Sequence, residues 1–161
     1  ILFGLKTIMI GQNLTRQLIY GNQNGTYLKM KKVAISGYFD PIHIGHLEYI
    51  KMARELGDYL IVIVNNDKQA FLKKGKSFMC EDDRLTIVAQ IKGVDEAVMS
   101  IDSDKTVCKT LDLIKPDIFA NGGDRSNSEI PEFKICKENG TKVVDGLGDK
   151  IRSSSDLTGI K

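Results

Sequence analysis

The chain holds two histidines, His43 and His46, three positions apart inside the stretch Val33-Ala-Ile-Ser-Gly-Tyr-Phe-Asp-Pro-Ile-His-Ile-Gly-His46. Imidazole titrates near neutrality and donates or accepts hydrogen bonds according to its tautomer. A lone histidine is usually a core or surface residue with a local hydrogen bond. A pair on a glycine-bearing turn points instead to contact with a ligand. Val33 to Ser36 reads as a short apolar strand, Gly37 breaks it, and Pro41 fixes its own φ while pushing Asp40 toward an extended conformation. A helical pattern follows His46. The local order is therefore strand, tight loop and helix N-terminus, with both imidazoles at the mouth of the helix. Unpaired N–H groups and the positive end of the helix dipole gather there, which suits phosphate. Gly45 lets a bound group come close to the backbone.

Two other stretches could serve the same chemistry. Lys73-Lys74-Gly75-Lys76 is a basic loop. On composition it could be a solvated cluster, but it follows the second strand, where open α/β sheets bind ligands. Ser153-Ser154-Ser155 stands at the start of a C-terminal helix, where hydroxyls can cap the helix, meet a phosphate, or do both.

The elements that must position these residues alternate along the chain. Leu47 to Leu56 is a helix with Leu47, Ile50, Ala53 and Leu56 along one side. Tyr59 to Val64 is a continuous apolar run that suits a parallel strand covered on both faces. Glu81 to Ile91 is a helix with Leu85, Val88 and Ala89 inward, and Val94 to Ser100 is a strand. Lys105 to Ile114 is a helix stopped by Lys115-Pro116, and Asp117 to Ala120 a strand running into Asn121-Gly-Gly-Asp-Arg125. Glu132 to Glu138 is a helix closed by Asn139-Gly140, and Val143-Val144 begins a last strand. Such alternation demands a parallel sheet with right-handed crossovers and helices packed on both faces.

The totals bound the rest. With 161 residues one domain is expected, and a net charge of +2 gives no nucleic-acid footprint. No apolar run approaches a membrane span, so a cytoplasmic protein without a membrane partner is expected. Cys80, Cys108 and Cys136 show no metal-binding spacing and read as buried thiols in a reducing compartment. Residues 1–29 contain no Asp or Glu, and Met30-Lys31-Lys32 precedes the first strand like a start. The expected division is an extension over 1–29, without order of its own or not native, and a domain over 30–161. A transit peptide is the other reading of that acid-free stretch.

Gly37-Tyr-Phe-Asp-Pro-Ile-His-Ile-Gly-His46 resembles the G-x-F-D-x-x-H-x-G-H signature of the cytidylyltransferase-like nucleotidyltransferases, which include glycerol-3-phosphate cytidylyltransferases and heptose-1-phosphate adenylyltransferases. Gly57 to Asp67 is similar to the family's second strand, and Asp83-Arg84 to its middle helix. Pro116 to Asp124 is similar to the P-D-x-x-x-x-G-G-D of the heptose enzymes, and Arg152-Ser153-Ser154-Ser155 to a variant of the I-S-T-T phosphate loop. The resemblance implies an α/β fold, a Rossmann-like doubly wound parallel sheet of about five strands with helices on both faces, and transfer of a nucleoside monophosphate, from CTP by a slight preference or from ATP, to a phosphorylated small alcohol or sugar, with pyrophosphate leaving. The acceptor phosphate is already anionic near neutrality. The catalytic task is then to align two anions and to stabilise the leaving pyrophosphate.

The resemblance implies catalytic roles for His43, His46 and Lys73, and a nucleotide site lined by Gly37, Tyr38, Phe39, Asp40, Gly45, Lys76, Gly122, Gly123, Asp124, Arg152, Ser153, Ser154 and Ser155. Mg²⁺ would ride on the triphosphate rather than in a protein cage. The implied partners are a nucleoside triphosphate and a phosphorylated small molecule, with a homodimer compatible. Tyr38 departs from the small residue usual in the family, and the triple serine replaces threonines, which bears on the acceptor. A heptose-1-phosphate-type adenylyltransferase is one alternative; a non-catalytic nucleotide-binding module on the same fold is another. A class I aminoacyl-tRNA synthetase core shares His-Ile-Gly-His, but the chain is too short for a full one.

Overall fold

The computed structural model describes residues 6–8, 17–21, 27–122, 130–148 and 154–159. Short strands β1 (Lys6–Ile8), β2 (Gln17–Gly21) and β3 (Tyr27–Lys29) pair antiparallel in a sheet of their own. The stretch read as an extension without order thus carries three short strands, none of them paired with the main sheet among the described residues. A side-chain tie leads from it to the rest: Lys29 Nζ donates to Asp117 Oδ1 at 2.7 Å.

From β4 (Lys32–Gly37) onward, strands and helices alternate: α1 (Ile44–Arg54), β5 (Tyr59–Val64), α2 (Asp67–Lys74), α3 (Glu81–Ala89), β6 (Glu96–Met99), α4 (Cys108–Ile114), β7 (Ile118–Gly122), α5 (Glu132–Asn139), β8 (Lys142–Leu147) and α6 (Ser154–Thr158). The five main strands form an all-parallel sheet in the order β6-β5-β4-β7-β8. This is the parallel sheet that the alternation demands, in the Rossmann-like form that the resemblance implies.

The sheet's two faces follow from the two-residue period of a strand. Val33, Ile35, Leu60, Val62 and Val64 pack with Ile50 and Ala53 of α1 and Val88 of α3. Their alternates Ala34, Ile61 and Ile63 pack with Leu111 of α4 and Cys136 of α5 on the other side. All are buried, which is why β4 and β5 read as unbroken apolar runs.

Several expectations are corrected in detail. The stretch read as a basic loop is partly helical, because Lys73 and Lys74 form the last turn of α2. On α3 the buried residues are Arg84 and Val88, whereas Ala89 is exposed. Leu47, placed on the inner side of α1, is 41% exposed, because the helix begins at Ile44 and turns Ile50 and Ala53 inward. Of the three cysteines only Cys136 is buried; Cys80 is exposed ahead of α3 and Cys108 is half-buried.

The order of strands reverses beside β4, with β5 and β6 on one side and β7 and β8 on the other. Strand β4 pairs with β5 as far as Gly37 opposite Val64. Its ladder with β7 joins only Val33 to Ile118 and Ala34 to Phe119. Beyond Ala34 on that side the strands are not paired. The carboxyl end of β4 therefore borders a crevice at the point where open α/β sheets take ligands.

Candidate active site

The loop that leaves β4 folds back on itself. Phe39 takes a left-handed φ of 50° and turns its ring into the core. A Cβ on Gly37 would lie 3.0 Å from that ring, so the glycine is what allows the fold-back. Left-handed backbone is costly for a residue with a bulky side chain, and here the buried ring holds it in place.

Next along the loop, the buried Asp40 carboxylate accepts from the backbone N–H groups of Phe78, at 2.9 Å to Oδ2, and Met79, at 2.8 Å to Oδ1. Its oxygens thus tie the 78–79 segment to the motif loop. The Asp40 carbonyl accepts from Lys74 Nζ at 3.1 Å. The Pro41 carbonyl accepts from Ser154 Oγ at 3.0 Å, which brings the start of α6 to the same loop.

His43 is the N-cap of α1, with an extended backbone, and His46 is the third helical residue. The imidazoles stack with centroids 3.8 Å apart, and Phe39 lies tilted against His46 at 4.9 Å. The His43 N–H donates to His46 Nδ1 at 3.2 Å. In a neutral ring whose Nδ1 accepts, the proton sits on Nε2. Burial first, then the neighbouring His43 and Lys74, push the His46 pKa down from 6.5 to about 3. His46 is therefore a neutral ring with one N–H to give, a donor at ordinary pH.

The two lysines closing α2 diverge. Lys73 is exposed, and its Nζ lies 4.3 Å over the Tyr38 ring. Lys74, not singled out from the sequence, turns inward to the Asp40 carbonyl and supplies part of the field that His46 feels. Lys76 follows the C-cap Gly75 and is exposed.

A second residue missed in the sequence holds this edge of the sheet together. Arg84 is fully buried. Its Nη1 donates to the carbonyls of Tyr38 at 2.8 Å and Asn65 at 2.6 Å, its Nε to Met79 O at 3.1 Å, and its Nη2 to Asp67 Oδ1 at 2.7 Å. The guanidinium fork joins the exits of β4 and β5, the start of α2 and the segment before α3. Its signal was available: Arg84 and Val88 stand four apart, so an inward Val88 carries Arg84 inward too.

On the other wall, Tyr49 of α1 donates its hydroxyl to Ala120 O at 2.6 Å. A Cβ on Gly122 would lie 3.2 Å from the Tyr49 ring, so this glycine admits the ring at the end of β7. Asn121 Nδ2 donates to Asp145 Oδ1 at 3.1 Å. Gly45 is the second residue of α1, and Ser155 follows Ser154 in α6. The remaining expected site residues, Gly123, Asp124, Arg152 and Ser153, lie outside the described residues.

The described part of the expected site thus converges on one place: the β4 loop, the end of α2, the mouth of α1, the end of β7 and the start of α6. It offers a helix N-terminus, a neutral imidazole donor and two lysines, a set suited to a polyphosphate. Among the described residues no group of three or more His, Cys, Asp or Glu could hold a metal ion, and no helix is long and apolar enough to cross a membrane.

Comparison with known proteins shows what the chain as a whole is similar to. A family model described as cytidylyltransferase-like matches residues 34–146. An FAD synthase of Picrophilus torridus is 37% identical over 130 residues, 78% of this chain and 92% of that protein. The bifunctional protein HldE of Nitratiruptor sp. is 37% identical over 120 residues, 73% of this chain but only 25% of its own length. Among solved structures, a lipopolysaccharide core biosynthesis protein from Thermoplasma volcanium superposes with a TM-score of 0.62 at 30% identity, covering 72% of this chain and 95% of that one.

Proposed function

The chain belongs to the cytidylyltransferase-like family and is a nucleotidyltransferase, and from that premise we propose that it moves an adenylyl group from ATP to the phosphate of FMN, releasing pyrophosphate and forming FAD. The observation that carries this reading is the likeness to an FAD synthase along 92% of that enzyme's length. The slight preference for CTP, drawn from the resemblance of the early half and overall size to the glycerol-phosphate enzymes, gives way here to ATP, because the relative's product contains adenine. A second reading, an adenylyltransferase for a heptose-1-phosphate-type sugar, draws support from the likeness to HldE.

The site residues have definite work in such a reaction. An FMN phosphate oxygen attacks the α-phosphorus, a P–O bond forms, and the bond to the bridging oxygen of the β-phosphate breaks. The acceptor arrives as an anion, so no proton has to be removed from it. The His46 Nε2–H and the mouth of α1 would hold the triphosphate and receive the charge that grows on pyrophosphate. Lys74 would hold charge beside His46, and Lys73 would face the reacting phosphates from the outer side. A Mg²⁺ carried by the triphosphate oxygens would neutralise part of their charge when bound.

Pyrophosphate release, measured for ATP and CTP against FMN, a sugar 1-phosphate and glycerol 3-phosphate, tests the assignment. ATP with FMN should be the productive pair and should yield FAD. Turnover only with CTP and a polyol phosphate would overturn it; turnover only with ATP and the sugar phosphate would favour the second reading.

A further inference from the structure

Tyr38 stands on the loop that leaves β4, and its ring is not idle there: Lys73 Nζ lies 4.3 Å from the centroid. We propose that Tyr38 is a positioning residue, whose ring face holds the Lys73 ammonium at the carboxyl edge of the sheet so that its charge is in place before the phosphates react. The inference rests on the nucleotidyltransferase reading of this site and adds to it a residue that need touch no substrate.

A lysine stem has many rotamers, so an exposed ammonium at the end of a helix samples many positions. An aromatic face attracts that ammonium electrostatically and narrows the set. The backbone that carries the ring is held from behind: the Tyr38 carbonyl accepts from the buried Arg84 Nη1 at 2.8 Å. The same guanidinium holds Asp67 at the first turn of α2, the helix whose last turn carries Lys73. Ring and ammonium thus approach from two elements clamped to one buried group. The adjacent Lys74 does not duplicate Lys73, since its ammonium is turned inward to the Asp40 carbonyl. The two lysines stand at different places in the site, and the Tyr38 ring marks the outer one.

A double-mutant cycle on kcat for pyrophosphate release tests this, using Tyr38→Leu, Lys73→Ala and the pair. A cation–π contact at an exposed site leads us to expect Tyr38→Leu to lower kcat roughly threefold to fivefold. In the Lys73→Ala background the same change should cost nothing further, because no ammonium is left to hold. Tyr38→Phe keeps the ring face and should recover most of the rate lost in Tyr38→Leu. Thermal melts of all variants separate these effects from unfolding. Additive losses, or equal losses in Tyr38→Phe and Tyr38→Leu, would overturn the positioning role while leaving the site reading intact. An unchanged kcat in Lys73→Ala would overturn both the positioning role and the catalytic assignment of Lys73.

Discussion

Two side chains at the mouth of α1, His43 and His46, are the groups we propose for the chemistry, and their environment decides which chemistry they can do. A general base works best with a pKa near the operating pH. His46, buried beside His43 and Lys74 and pushed down to about 3, is far from that, and its Nδ1 lone pair is already taken by the His43 N–H. It serves as a donor through Nε2. Replacing His46 by Ala should therefore cost on the order of 2.7–4 kcal/mol in transition-state stabilisation, as for loss of one preorganised oxyanion donor. Gln, whose amide reaches about as far as Nε2, should restore more of the rate than Asn. Equal rates for Ala and Gln would argue against a donor role. The same burial links His46 to stability. Between pH 6.5 and about 3 the unfolded chain binds a proton that the folded one refuses, so stability should fall as pH drops through that window. Urea midpoints for wild type and His46→Gln across this range measure it; parallel curves would remove His46 as the cause. Lys74 belongs to the same scale. Since its charge helps to depress His46, Lys74→Met should raise the His46 pKa in an NMR titration and slow pyrophosphate release. An unmoved imidazole would mean that Lys74 is too far away to matter.

At the scale of elements, the site depends on short segments being tied to one another rather than on long apolar faces. Helix α2 has only Gln69 and Ala70 buried, and it is held by polar bonds. Asn66 caps it, accepting from Gln69 N at 2.9 Å, while Gln69 Oε1 accepts from Asn66 N at 3.1 Å. Gln69 Nε2 reaches the carbonyls of Asp104 and Thr106 beyond β6. The buried amide is satisfied on both sides, which is the condition for a polar group to be tolerated there. Arg84 does the same for the exits of β4 and β5. Replacing it by Met would leave the Tyr38, Asn65 and Met79 carbonyls without this donor and Asp67 without its ion pair. The expected loss is roughly 1–3 kcal/mol, the cost of leaving a buried acceptor without its donor; the Asp67 side chain, 39% exposed, is solvated once the pair is gone. Arg84→Lys should recover only part of it, because an ammonium cannot reproduce the planar fork. Urea unfolding reads both; a change in Arg84→Met below 1 kcal/mol would show that the clamp contributes little.

At the scale of the molecule, the main parallel sheet contains the whole described site, and the small antiparallel sheet of β1, β2 and β3 stands apart from it. We propose that the domain begins at Met30 and that the preceding residues are dispensable. Lys29–Asp117 is the described side-chain link across that boundary, with the lysine side chain 58% exposed. Exposed pairs contribute about 0–1 kcal/mol. A chain starting at Met30 should therefore fold, melt within a few degrees of the full chain and keep its rate of pyrophosphate release. Loss of solubility or turnover would place the first sheet within the functional unit.

The sequence by itself determined the fold class and pointed to the stretch we propose as the seat of the chemistry. Unbroken apolar strands alternating with helices leave little but a doubly wound parallel sheet, and the His43-Ile-Gly-His46 turn lies in one contiguous stretch whose local conformation follows from glycine, proline and helix-start chemistry. Helix α2 was legible too, in the Asn66-x-x-Gln69 capping pattern, but its charged surface hid it from a reading based on apolar period. Tertiary structure decided the rest, because the rest depends on groups distant in the chain. The donor role of His46 requires burial and the field of Lys74. Asp40 became a tie between loops because the N–H groups of Phe78 and Met79 come to it from 38 and 39 residues away. The spacing to Val88 turns Arg84 inward, but its partners exist only once the exits of two strands are brought within reach of one guanidinium, and Lys73 and Lys74, neighbours in sequence, part company only when Tyr38 and the Asp40 carbonyl offer them different partners.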